Sequence, residues 1–159
     1  MEAGGHVFEW CCCHSQGALT TTVTPPSHLL LEYREATGAS GKNWLFFGNQ
    51  FRNYDYLYAD ELEHWQQCGL LTRLDLAFSR DTSEKIYVQD RMREQGAELW
   101  RWLQDGAYFY VCGDAKRMAP DVDGALQDVA KQYGGLTAEA AKAWVQALAK
   151  EKRYLRDVY

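Results

Sequence analysis

Apolar positions along the chain fall into short runs separated by longer amphipathic stretches. Asn43–Gly48, Leu74–Phe78 and Tyr108–Cys112 are brief and rich in aromatic or branched residues, and each is closed by Asn, Gly or a polar turn. Runs of that length and composition read as buried parallel strands. The stretches between them carry helical signals. Ser27 can cap a helix from about His28 to Ala36, with Gly38 just beyond its end. Asp55 to Gln67 reads as a second helix stopped by Gly69, and Asn49 to Asn53 as a polar loop. Tyr87–Gln95 and Ala97–Gln104 read as one helix broken near Gly96 or as two short ones, with Trp100 and Leu103 toward the core and Trp102 partly buried. A helix capped by Asp114 runs to about Tyr133, with Pro120 near its first turn and Gly134–Gly135 as its stop. Thr137 caps a last helix whose face holds Ala140, Trp144 and Leu148, and Tyr154–Tyr159 looks extended. Strands alternating with helices predict an α/β fold, a parallel sheet with helices on both faces.

Residues 1–27 break this pattern. They show no clean period of 2 or 3.6 and contain no Gly-x-Gly-x-x-Gly. They are read as an irregular or altered arm, leaving 28–159 as the folded domain. His6, Cys11, Cys13 and His14 could be drawn as a zinc site, but their spacing departs from the usual finger and ribbon patterns. His64 has no carboxylate or Cys partner at metal spacing nearby in the sequence and reads as a surface residue. No metal is expected.

Composition narrows the class. At 159 residues, 47% hydrophobic and 25% charged, the chain fits one globular domain. The net charge of −5 argues against a nucleic-acid partner while leaving room for a local basic pocket. No apolar run approaches the roughly 20 residues of a membrane helix, and the start lacks the basic region of a signal peptide. The five cysteines, three of them contiguous at Cys11–Cys13, form a poor disulfide framework. A cytoplasmic protein with free thiols is expected.

The chemistry concentrates where the Leu74–Phe78 run ends. Ser79, Arg80, Lys85 and Tyr87 follow within a few residues. Arg offers a planar fork of donors, Lys a point charge and Ser a short hydroxyl, which together suit a phosphate bound beside an aromatic ring. The alternative is a solvated loop with ordinary surface charges.

Ser79–Arg80, Lys85–Gln89, Tyr110–Asp114 and Arg153–Tyr159, in that order, resemble the NADPH-binding module of diflavin reductases, a ferredoxin–NADP reductase-like family, and most closely its sulfite-reducing branch. The likeness runs from about Glu35 to Tyr159. It implies a Rossmann-like sheet, and against that pattern residues 1–27 lack the expected first strand and the glycine-rich loop that receives the pyrophosphate. It implies that Ser79 and Arg80 hold the 2′-phosphate of NADP, that Lys85 and Tyr87 complete that pocket, and that Ile86, Val88 and Gln89 belong to the same motif. Asp121 matches a position near the cofactor, although a residue in the first turn of a helix is an equal reading. Cys112 and Asp157 would lie beside the nicotinamide, steering hydride to FAD, and Tyr159 would cover the flavin. The complete protein would carry FAD-binding and FMN-binding domains and pass electrons through FMN to a sulfite-reducing haem subunit. The isolated chain would be inactive alone. The alternative is a fragment that folds but does not bind the cofactor usefully.

Overall fold

The computed structural model describes residues 7–12, 26–38 and 40–158, with backbone alone for 7–12 and 26–30. Five parallel strands form one sheet: β1 (Val7–Cys12), β2 (Asn43–Asn49), β3 (Arg73–Phe78), β4 (Tyr108–Gly113) and β5 (Tyr154–Val158). Their order is β3-β2-β1-β4-β5. The parallel α/β architecture follows the sequence pattern. The first strand does not. It was expected to be missing, yet β1 occupies the middle of the sheet, paired with β2 from Val7↔Asn43 and with β4 from Val7↔Tyr108. Its six residues carry no strong period of their own, and two flanking strands supply the pairing that local pattern does not. The glycine-rich loop would fall in 13–25, outside the described residues.

Side chains of β2 alternate between two cores, as a strand covered on both faces requires. Trp44 and Phe46 face α4 (Val88–Glu94), α5 (Gly96–Gln104), α6 (Met118–Gly134) and α7 (Ala138–Lys150), which contribute Met92, Leu99, Leu126 and Val145 to that core. Leu45 and Phe47 face the other way, toward Leu31 of α1 (Pro26–Thr37) and Leu62 and Trp65 of α3 (Ala59–Gln67).

Several helices differ in detail from their expected form. α1 begins at Pro26, so Ser27 lies in its first turn rather than at its cap. The helix expected over Asp55–Gln67 is α3, which begins only at Ala59, after Tyr58 takes a left-handed φ of 61°, and a short helix, α2 (Arg52–Asp55), starts within the expected polar loop Asn49–Asn53. Trp102 is 5% exposed and packs edge-on against Trp44 at 5.4 Å, whereas Trp100 is only partly buried, so the two exchange their expected places. The buried face of α7 is Ala141, Val145 and Leu148, with Ala140 exposed. Thr137 does cap α7, accepting from Ala140 N at 3.2 Å. Pro120 sits in the first turn of α6, where its missing N–H removes no helix bond. Among the described side chains Cys68 is exposed and Cys112 buried. Among the described residues no helix is long and apolar enough to cross a membrane.

Candidate functional site

A cleft of about 430 Å³ opens at the carboxyl ends of β2, β3 and β4. Ligands of open parallel sheets bind at that end of the strands. Its wall is built by extending the sheet beyond its last regular pairs. Ser79 N donates to Asn49 O at 2.9 Å, and Arg80 N to Gln50 O at 2.9 Å. Arg52 N in turn donates to the Asp81 carboxylate at 3.0 Å. The Ser79–Asp81 turn is thus bonded to the turn after β2 and is not a loose loop. The guanidinium of Arg80 lies over the Phe51 ring, 5.9 Å from its centroid. Arg80, an always-charged, planar donor group, also lines the cleft.

The second wall is the start of α4. Tyr87 N donates to Asp90 Oδ2 at 2.9 Å, which fixes the first turn. Arg91 Nε donates to Leu76 O at 3.1 Å and ties the helix to β3. α4 approaches β2 closely: a Cβ on Gly48 would lie 2.5 Å from Val88 Cγ2. The floor joins α4 to α6, where Gln89 Nε2 donates to Asp121 Oδ2 at 3.3 Å. At the end of β4, Gly113 has a φ of 135° that admits the sharp turn into Asp114. Asp114 does not cap α6 itself; Arg117 takes that position. The Asp114 carboxylate instead accepts from Lys116 N at 2.7 Å, shaping the turn that leads into the helix.

Ser79, Arg80, Lys85, Ile86, Tyr87, Val88, Gln89 and Asp121 all line this cleft. Tyr87 keeps 43% of its surface exposed, which leaves its ring open to a ligand. Asn49, Gln50, Asp114, Arg117 and Met118 also line it, and sequence reasoning gave none of them a ligand role. They come from two separate segments, the end of β2 and the turn from β4 into α6, and only the fold assembles them. Three cations, Arg80, Lys85 and Arg117, border a space shared with Asp114 and Asp121. The hydroxyl of Ser79 and the two cations on its side fit a phosphate dianion.

Cys112 and Asp157 lie apart from that cleft, as a facing pair in the β4·β5 register. Cys112 is buried and Asp157 exposed. Tyr159 lies outside the described residues. So do His6, Cys13 and His14 of the amino-terminal group. His64 is exposed, as read, but it is not without partners: Cys68, four residues on at the C-cap of α3, and Glu35 of α1 come beside it.

Residues 20–124 match the oxidoreductase NAD-binding domain family. Over 134 residues, 84% of its length, the chain is 59% identical to the sulfite reductase (NADPH) flavoprotein alpha-component of Cronobacter sakazakii. It is 56% identical to the protein of that name from Klebsiella pneumoniae and 54% to that of Escherichia coli strain K12. In each case it spans 22% of the relative's length. A parallel sheet with its cleft at the strand ends, and a match over most of its length, place the chain in the oxidoreductase NAD-binding domain family, homologous to part of the sulfite reductase flavoprotein alpha-components.

Proposed function

We propose that the chain binds NADPH in the Ser79–Gln89 cleft and, within a complete flavoprotein, positions it for hydride transfer to FAD. The observation that carries this reading is the convergence of Ser79, Arg80, Lys85, Tyr87 and Gln89 on one cleft at the carboxyl ends of the strands. Arg80 would donate a fork of hydrogen bonds to the 2′-phosphate, Lys85 would add a second positive charge and Ser79 a hydroxyl. Tyr87 would border the same group with its exposed ring. Cys112 and Asp157, neighbours across β4 and β5, would flank the nicotinamide end, and Tyr159 would cover the flavin. The bound cofactor supplies the hydride; the chain supplies position and charge. Electrons would pass on through FMN to a sulfite-reducing haem subunit. The relatives are named for that overall reaction, and the chain spans only 22% of them. The isolated chain would therefore transfer no electrons to an acceptor. NADPH-dependent reductase activity in flavin-free protein would contradict that.

A second reading is a folded chain that binds no cofactor usefully. It is favoured by the lack of Gly-x-Gly-x-x-Gly before α1. Against it, β1 sits centrally with its carboxyl end between those of β2 and β4, the place where the family's first strand is expected. Calorimetric titration with NADP⁺ and NAD⁺ separates the two. Binding that prefers NADP⁺, and weakens roughly tenfold to a hundredfold in Arg80→Ala with NAD⁺ much less affected, supports the first. A cooperatively melting protein that binds neither supports the second.

A further inference from the structure

Away from the cleft, three side chains of ligand type meet where α1 packs on α3. Glu35, His64 and Cys68 each present one ligand atom, and these atoms lie within 4.8 Å of one another. His64 and Cys68 are four residues apart, on the last turn of α3 and its C-cap, so they stack on one face of the helix. Glu35 comes from α1. Leu31, Leu62 and Trp65 share one core, which fixes the two helices relative to each other. The Trp65 indole N–H donates to Glu35 Oε2 at 3.1 Å. This pins one carboxylate oxygen and leaves Oε1 facing His64 Nε2 at 3.9 Å.

A surface ion pair does not account for the arrangement. At 3.9 Å the His64–Glu35 separation is too long for a hydrogen bond, and the side chains are 66% and 48% exposed. Such pairs contribute little, and the pair gives Cys68 no part. We propose that Glu35, His64 and Cys68 form a zinc site that ties α1 to α3, with water as the fourth ligand. Thiolate, imidazole and carboxylate are the donors zinc takes, at about 2.3, 2.0–2.1 and 2.0–2.2 Å. Those bond lengths set ligand atoms about 3.3–3.8 Å apart around a tetrahedral ion, so the three close by up to about 1.5 Å, within reach of exposed side chains. One thiolate and one carboxylate neutralise a divalent cation. Calcium and magnesium favour all-oxygen sets and are disfavoured here. The Trp65 bond to Glu35 is the outer-shell support such ligands need. Binding releases the Cys68 thiol proton to solvent, so affinity rises with pH.

Cobalt(II), which takes the same geometry and reports thiolate ligation by a near-ultraviolet charge-transfer band, is the probe. The full-length chain is titrated beside Cys68→Ser, His64→Ala and Glu35→Gln. Cys11–Cys13 also carry thiols, so the readout is the difference between chains. The proposal expects Cys68→Ser to lose one cobalt equivalent with its band. It expects His64→Ala and Glu35→Gln to bind that equivalent at least about tenfold more weakly. It also expects Zn²⁺ to raise the melting temperature of the wild-type chain more than that of Cys68→Ser. Equal stoichiometry and bands in wild type and Cys68→Ser would overturn it. So would wild-type affinity in both His64→Ala and Glu35→Gln, since that is binding by a lone thiol. Metal-free melting curves that match the wild type show that all three variants fold.

Discussion

Tyr154 shows how much one side chain at the start of β5 can hold. Its ring is buried against Phe109, with centroids 5.7 Å apart, and its hydroxyl donates to Asp123 Oδ1 on α6. Arg156 reaches the same carboxylate, at 2.8 Å from Oδ2, and lies over the Tyr154 ring at 4.8 Å. Burial raises the Tyr154 pKa far above its ordinary value, and the hydrogen bond to the Asp123 carboxylate raises it further. The phenol therefore stays protonated in the folded chain while the unfolded chain ionises near pH 10. The unfolded state then binds fewer protons than the folded state, and stability falls as pH rises above that point. Tyr154→Phe should cost about 1.5 kcal/mol at neutral pH and should flatten the decline in melting temperature between neutral and strongly alkaline buffer. A variant whose melting temperature falls as steeply as the wild type above pH 10 would remove Tyr154 as a source of that slope.

At the scale of elements, the close approach of α4 to β2 is what shapes the cleft. Val88 fills the space above Gly48, and Tyr87 and Gln89 flank it on the cleft wall. Gly48→Ala would force α4 outward, at about 1–3 kcal/mol, and should weaken NADP⁺ binding by moving the second wall. Adding Val88→Ala should recover part of the binding lost, because it removes the atom that the new methyl meets; calorimetry on the single and double variants checks this. This contact was not legible in the sequence, where Gly48 read only as the end of a strand. β2, β3 and β4 were legible, because each is a compact apolar run closed by a polar or glycine signal. Helix phases were less so. Trp100 and Trp102 both fit an apolar stripe, and the Trp44 ring on β2 decides which is buried. Likewise the inward face of α7 sits one residue on from the expected one for two of its three positions, since Ala-rich stretches mark a face weakly. Of the cleft, the continuous Ser79–Gln89 segment was legible through its resemblance, whereas Asn49, Gln50 and Arg117 join it only by folding.

For the whole molecule, the sheet sets the two ends of the proposed site apart. Ser79 and Arg80 follow β3 at one edge, and Asp157 lies on β5 at the other. Asp157→Asn should therefore leave binding of 2′,5′-ADP within about twofold of wild type, whereas Arg80→Ala should weaken it tenfold or more; titration with this half-cofactor compares them. The central position of β1 bears as well on how the chain is made. β1 is synthesised before the other four strands of its sheet, yet one of its partners, β4, begins at Tyr108. Its pairing with β4 spans roughly a hundred positions, a separation that slows folding. Until β4 is synthesised, one side of the sheet's middle strand has no neighbour to pair with, and its open backbone is the surface most exposed to wrong association. The nascent chain is thus most in need of a chaperone during the interval between β2 and β4, when half of a sheet exists around a strand that belongs at its centre.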